Sequence, residues 1–339
     1  MTLMKNREIL FLKRPDGEPT TEHLSVQETS VPELSEGEAL VRLLYVSVDP
    51  YMRGRMNEGK SYVEPFQLNQ PIEGGAIAEV IKSQSDQLQE GDIVTGSLPW
   101  REYTTISAES VRKIDPALGP LTTSLHILGM TGLTAYFGLM DIGRPQEGET
   151  VVVSGAAGAV GSTVVQIATI VGARVVGIAG SDEKVQLLRQ LGADAVINYQ
   201  TEDVNTALME ACPDGVDVYF DNVGGDISDA VYPLLNKFAR IIQCGAISSY
   251  NKREDHGPRI QHYLIKSSAL IKGFTVGDYR ERYPEGFQHL SKWLQEGKLT
   301  YEETITEGFE NIPQAFFGLF TGENIGKQLV KVNEPSHKE

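Results

Sequence analysis

Val151-Val152-Val153-Ser154, followed at once by Gly155-Ala156-Ala157-Gly158-Ala159-Val160-Gly161, is the stretch that decides the fold. A short β-branched apolar run, three glycines at three-residue spacing, and then Ala159–Val171 with helical length and apolar spacing read as strand, tight turn and helix. A parallel strand feeding a helix gathers free backbone N–H groups and the positive end of the helix dipole at one point. Glycines there let a pyrophosphate approach the backbone and let the helix pack closely on the sheet. A glycine-rich turn alone is common. Set between a strand and a helix, with another strand following, G-x-x-G-x-x-G points to a dinucleotide. Gly155, Ala156, Gly158, Ala159, Val160 and Gly161 are therefore the candidate cradle.

Downstream the alternation continues. Arg174–Ala179, Ala195–Asn198, Val216–Asp221, Phe238–Cys244 and Leu270–Val276 read as strands, with helices at Asp182–Leu191 and Glu281–Glu296. Strands alternating with helices of about ten residues indicate βαβ units and a parallel sheet. Upstream, Ala39–Val48, Gly75–Ile81 and Asp92–Gly96 read as strands, punctuated by turns at Glu36-Gly37-Glu38 and Glu90-Gly91-Asp92. That part is expected to be an irregular, mostly antiparallel β domain. Ile325–Val332 reads as a final strand that rejoins it, and the polar tail Asn333–Glu339 is expected to fray. The predicted class is α/β in two domains, residues 1–125 completed by 305–339, and residues 126–304. A chain of 339 residues is long enough for both.

Acidic residues outnumber basic ones by 46 to 30, for a formal charge of −16, which argues against a nucleic-acid binder. The two cysteines, Cys212 and Cys244, can build neither a disulfide framework nor a four-cysteine zinc lobe. No signal peptide is visible in Met1–Gly17, and no apolar run approaches membrane-spanning length, so a cytosolic protein with no membrane partner is expected.

The second strand bears on the choice of cofactor. An NAD-specific site places Asp or Glu at its end, to bind the ribose 2′-hydroxyl. Here Val175-Val176-Gly177-Ile178-Ala179 runs into Gly180-Ser181, so a 2′-phosphate meets no carboxylate at that end. Lys184, one turn into the next helix, could pair with the phosphate. Asp182 and Glu183 are expected in a first turn that Ser181 caps. NADPH is favoured.

With these residues in view, most of the chain resembles the zinc-independent medium-chain dehydrogenase/reductases, in the branch of leukotriene B4 12-hydroxydehydrogenase/prostaglandin reductase, plant double-bond reductases and curcumin-reductase-like enzymes. The resemblance is carried by Ser47-Val48-Asp49-Pro50-Tyr51-Met52-Arg53, by Gly129-Met130-Thr131-Gly132-Leu133-Thr134-Ala135-Tyr136 and by the glycine loop. Further along it is carried by Gly180–Lys184, Phe220–Gly225, Cys244-Gly245-Ala246-Ile247-Ser248 and Asn324-Ile325-Gly326-Lys327. It implies a GroES-like irregular β domain plus a Rossmann domain, with the active site in the cleft between them. It implies NADPH, with Lys184 and Tyr199 at the 2′-phosphate. Asn222, Cys244, Gly245 and Ile247 would line the nucleotide, and Tyr250 would reach its phosphates. Phe274, Thr275 and Val276 would lie near the nicotinamide, with Met130, Thr131 and Asn324 also against the cofactor. A homodimer through the edge of the Rossmann sheet is implied as well.

Zinc-dependent relatives carry a cysteine and a histidine early in the chain and a second histidine later. Here those positions read Ser47-Val48-Asp49-Pro50-Tyr51 and Ile72-Glu73-Gly74-Gly75, and His23 and His126 have no ligand set at metal spacing around them. The expected activity is NADPH-dependent reduction of the C=C bond of α,β-unsaturated ketones and aldehydes. Hydride goes to the β-carbon and hydrogen bonds stabilise the enolate. Tyr51 is the main candidate donor, while Arg53 either orients the substrate or, on the favoured reading, anchors its loop. Lys266 falls where eukaryotic members place a tyrosine, and Tyr263 lies three residues earlier; both are candidates for supplying the proton, as is water. A quinone oxidoreductase and a non-enzymatic NADPH sensor on the same fold are the alternatives.

Overall fold

The computed structural model describes residues 5–115 and 119–336. The chain forms two compact units. The first holds the described residues up to Leu125 with Glu303–Glu323 and those from Gln328 onward; the second holds His126–Glu302 and Asn324–Lys327.

The second unit is built on six strands, Thr150–Val153, Arg174–Ala179, Ala195–Asn198, Val216–Asp221, Leu235–Gln243 and Leu270–Gly273. Numbered in that chain order they lie 3-2-1-4-5-6 across the sheet, and every pairing is parallel. This is the doubly wound Rossmann order, whose ligand crevice opens at the carboxyl ends of strands one and four. Both faces are covered. Val151, Val153 and Phe220 point into a core shared with the helices Met130–Phe137, Ala159–Ile170 and Tyr283–Gln295. Val152, Ile178 and Tyr219 point the other way, against Val204–Ala211, Gly225–Val231 and Gln261–Ser267. Alternate side chains of one strand thus enter different cores, which explains the unbroken apolar runs Val151–Val153 and Val175–Ala179 in the first and second strands.

Two further helices, Val204–Ala211 and Gly225–Val231, are not among those expected from the sequence. The first buries only Leu208 fully, with Val204, Ala207 and Ala211 partly buried against the same core at helical spacing, and the second begins in glycine. The last strand stops at Gly273 rather than Val276. Thr275 there forms a capping box with Asp278 and starts a tight helical turn over Val276–Arg282. The fifth strand starts early, at Leu235, and its register against the fourth shifts along the way. Phe238 sits in that stretch with φ +63°.

The first unit has a three-stranded sheet and a seven-stranded sheet in which Glu38–Ser47 pairs antiparallel with Glu73–Ser83 and with Lys327–Lys331. Its core includes Phe11, Val46, Met52, Trp100 and Phe316. Arg53 is buried and donates to Asn57 Oδ1 at 2.7 Å and to the carbonyl of Gly17 at 2.9 Å, so it anchors a loop as its sequence context suggests. The tail departs from expectation. Asn333 Nδ2 donates to Leu43 O at 2.9 Å, and the Ser336 N–H donates to the buried Glu79 carboxylate at 3.1 Å. Glu79 in turn takes Arg42 at 2.7 Å, so the segment to Ser336 is tied down; residues 337–339 lie outside the described residues. No described helix is long and apolar enough to cross a membrane.

Burial pushes the Cys212 thiol up to about 11 and the Cys244 thiol up to about 12. Reactive thiolate is then scarce near neutrality. Native protein at pH 7.5 should react with Ellman's reagent many times more slowly than protein unfolded in guanidinium, where both thiols titrate. Fast stoichiometric labelling of the native state would show these burials to be wrong.

Candidate functional site

At the crevice between strands one and four lies a buried carboxylate, Asp221. Its Oδ1 accepts from Ser154 Oγ at 2.9 Å, Tyr219 OH at 3.0 Å, and the N–H groups of Val223 at 3.0 Å and Gly224 at 2.9 Å. Its Oδ2 accepts from Ser228 Oγ at 2.6 Å and Gln243 Nε2 at 3.1 Å. These bonds fix the loop that carries Asn222, whose side-chain amide donates to Ser154 O at 2.8 Å. The Cys244–Ser248 loop is tied to the same place. The N–H groups of Cys244 and Gly245 donate to Asp221 O, at 2.9 and 3.0 Å, and that of Ile247 to Asn222 O at 3.4 Å. Tyr250 turns its hydroxyl onto this loop, accepting from the Ala246 N–H at 3.2 Å.

The glycine loop adjoins this crevice, and its three glycines differ in what they do. Gly155 has φ +57°, a conformation that a side chain disfavours. A Cβ on Gly161 would fall 2.3 Å from Gly155 O and 2.7 Å from Ala156 Cα, so close packing of helix on turn forbids one. A Cβ on Gly158 would meet nothing nearer than Gly155 O at 3.4 Å, and the residue has an ordinary φ of −80°. Protein packing does not require glycine at 158; an approaching ligand would. Ala159 and Val160 open the helix directly after it.

Asn324 belongs to this unit. Its side chain donates to Gly326 O at 2.8 Å, and the Gly326 N–H donates to Ala157 O at 2.8 Å, which lays the segment along the glycine loop. Gly326 has φ +64°, and a Cβ there would come within 1.9 Å of Glu302 O. Met130 is exposed at the start of its helix, while Thr131 is buried with its hydroxyl donating to His126 O at 3.0 Å. Phe274 rests edge-on to Tyr279 at 6.2 Å and, with Val276, packs on the core behind the first strand.

At the end of the second strand Ser181 caps the next helix, accepting from the Lys184 N–H at 3.3 Å. The Tyr199 ring lies on Gly180, where a Cβ would stand 2.5 Å from its hydroxyl oxygen. Burial of the Lys184 stem lowers its pKa, against a smaller opposing effect of Glu183. A bound dianion would reverse that desolvation cost. A nicotinamide dinucleotide with a 2′-phosphate fits this set: a glycine loop between strand and helix, a glycine without a packing reason, and a lysine and tyrosine where the phosphate would lie.

In the first unit, Ser47 donates to the Asp49 carboxylate, and Met52 fills the space beside Gly74, where a Cβ would fall 2.2 Å from Met52 Cε. His23 is bonded locally to Thr20, and His126 faces Tyr301 edge-on at 5.8 Å. Among the described residues no three His, Cys, Asp or Glu side chains come together as a metal site. Tyr51 packs partly on the core, and burial, then the Asp49 carboxylate, raises its phenol well above the usual value. Tyr263 and Lys266 share the Gln261–Ser267 helix in the second unit. Tyr263 is stacked on Tyr232 at 6.3 Å in the core on the other face of the sheet from Phe274, and Lys266 is exposed. Asp221, Ser154 and Asn198 escaped sequence reasoning as site residues. Only Asp221, at the end of a strand within a matched motif, gave any sign.

Two family descriptions match the chain, "N-terminal domain of oxidoreductase" over residues 7–114 and "Zinc-binding dehydrogenase" over residues 159–292. The chain belongs to the medium-chain dehydrogenase/reductases, among their NADP-dependent oxidoreductases. It is 62% identical to the putative NADP-dependent oxidoreductase YfmJ of Bacillus subtilis, over 97% of this chain and 98% of that one. It is 41% identical to the 2-alkenal reductase (NADP(+)-dependent) of Nicotiana tabacum, over 97% and 98%. The crystal structure of CurA from Vibrio vulnificus in complex with NADPH superimposes with a TM-score of 0.92 at 40% identity, covering 97% of this chain and all of that one. The protein is thus an NADP-dependent enzyme.

The two glycines separate fold from ligand. Gly158→Ala should keep the parent Tm within a degree or two while weakening NADPH binding at least tenfold, as read by fluorescence titration. Gly161→Ala should lower stability by about 1–3 kcal/mol through overpacking. Unchanged NADPH affinity in Gly158→Ala would remove the loop from the cofactor site.

Proposed function

We propose that the protein reduces the C=C bond of α,β-unsaturated ketones and aldehydes without zinc, and that Tyr51 is the donor to the carbonyl oxygen. What supports this reading is the likeness to the 2-alkenal reductase of Nicotiana tabacum together with the partly buried Tyr51 phenol, whose pKa is raised by burial and by Asp49. Ser47 and Asp49, bonded to each other, stand where the zinc-dependent relatives supply a ligand. When bound, NADPH supplies the hydride that adds to the β-carbon. The displaced electron pair moves to the carbonyl oxygen, where Tyr51 hydrogen-bonds the developing enolate. A proton then adds at the α-carbon, completing reduction by two electrons and two hydrogens. Asn222 and the Cys244–Ile247 loop, fixed by Asp221, hold the nucleotide, and Lys184 with Tyr199 takes its 2′-phosphate. Phe274–Val276, Met130, Thr131 and Asn324 complete the cofactor surroundings on this reading, with Tyr250 reaching the phosphates.

Water is the favoured proton source, since Lys266 is exposed and the Tyr263 ring packs on the core on the other face of the sheet from Phe274. The protein works in the cytoplasm as a homodimer on this reading. The Leu270–Gly273 strand ends the sheet and Leu270, Ile265 and Phe238 are exposed, 53%, 79% and 66%, which suits a second copy at that edge.

NADPH consumption with enones, enals and a quinone, with products identified by mass spectrometry, tests the reaction. Saturated carbonyl products are expected. Hydroquinone alone would move the protein to quinone reduction, and tight NADPH binding without turnover would make it a sensor. Tyr51→Phe should lower kcat about ten- to hundredfold with NADPH affinity unchanged. Lys266→Ala and Tyr263→Phe should each stay within about threefold of the parent; a larger loss in either would make that residue the proton donor. Because the Tyr51 pKa is raised, the phenol keeps its proton beyond its ordinary pKa of about 10. The kcat profile should therefore show no alkaline fall below about pH 10 from this group.

A further inference from the structure

The second and third strands of the parallel sheet end side by side, with Ala179 opposite Asn198. A carboxylate stands close to these ends. Asp182 is exposed in the first turn of the helix Asp182–Gln190, and its Oδ1 accepts from Asn198 Nδ2 at 2.9 Å. Asn198 is buried, 5% exposed, and is fixed at several other points. Its N–H donates to Glu202 Oε1 at 2.7 Å, its Oδ1 accepts from the Gln200 N–H at 3.1 Å, and its carbonyl accepts from the N–H groups of Thr201 at 3.1 Å and Glu202 at 2.9 Å. An amide whose oxygen is committed in this way presents its NH2 group in one direction, toward Asp182.

We propose that Asn198 is a specificity-determining positioning residue, which holds the Asp182 carboxylate away from the 2′-position of the adenine ribose. Held there, the acid repels a 2′-phosphate less than it would if free to swing, and its bonded oxygen is turned away from a 2′-hydroxyl. The inference rests on the reading that Gly180–Lys184 and Tyr199 receive the 2′-phosphate. The turn carries two acids against one lysine, a poor balance for a dianion unless the nearer acid is occupied. Like charges a few ångströms apart lie well inside the screening length of about 8–10 Å, so a small swing of Asp182 changes the repulsion. A released carboxylate beside the strand end would resemble the acid that NAD-specific sites place there.

The experiment measures Kd for NADPH and for NADH by fluorescence titration, with a thermal melt of each protein. Asn198→Ala should weaken NADPH about tenfold while leaving NADH unchanged or tighter. Asp182→Asn should keep the preference for NADPH, and Asp182→Asn combined with Asn198→Ala should restore it. Equal losses for both cofactors, with no restoration in the double variant, would reduce Asn198 to a turn residue and overturn the proposal. If Asn198→Ala does not fold, the near-isosteric Asn198→Asp keeps the acceptor and replaces the donor with a second acid; it must shift the preference toward NADH. Lys184→Ala separates the two layers. If it leaves both affinities unchanged, the phosphate site lies elsewhere and the underlying reading fails. If it weakens NADPH alone while Asn198→Ala shifts nothing, only the role of Asn198 fails.

Discussion

A buried carboxylate without a cationic partner at bonding distance organises the ligand end of the parallel sheet. Taking an ionised group out of water costs several kcal/mol, and the cost is offset only when its lone pairs are filled. Asp221 fills them with six donors drawn from the turn after the first strand, from the fourth and fifth strands, from the loop after the fourth and from the helix that follows. The same bonds that stabilise the charge fix the positions of Asn222 and the Cys244–Ser248 loop. Stability and site geometry here share one set of hydrogen bonds, so neither can loosen without the other.

Around that point the second unit builds its site from backbone more than from side chains. The first strand delivers the chain into a left-handed glycine and then a helix start, with the returning Asn324–Lys327 segment laid beside the loop. Backbone amides held by secondary structure are already oriented before a ligand arrives, so little ordering is left for binding to impose. Side chains enter mainly at the end of the second strand, where Tyr199 lies over Gly180 and Ser181 caps the helix that carries Lys184. In the first unit the Ser47–Arg53 segment spends Arg53 on anchoring a loop and Met52 on the core, while Tyr51 packs only partly on that core, with a phenol whose pKa burial raises.

Which features were legible beforehand follows from their range along the chain. The strands at Arg174–Ala179, Ala195–Asn198 and Val216–Asp221 could be read to the residue, because each is a short β-rich run set between a helix or turn on either side. The glycine loop was legible because steric limits at Gly155 and Gly161 act between residues a few positions apart. The end of the last strand was not: Gly273 stops it because the capping box of Thr275 with Asp278 competes for the next residues. The tail was misjudged for a related reason, since its polar residues pair with Leu43 and Glu79, far away in sequence.

The sequence by itself determined the alternation of strand and helix, the turn that can admit a pyrophosphate, and the lack of an acid directly at the end of the second strand. All of these depend on local sterics, period and charge. Tertiary structure alone decided what each polar side chain is committed to. Asp221 became a hub, Asn198 a clamp on Asp182, and Tyr263 a partner of Tyr232, because each meets donors, acceptors or rings from elements that only folding brings together. Hydrogen bonding is directional and saturable, so a side chain's availability for chemistry is settled by its neighbours in space, not by its neighbours in the chain.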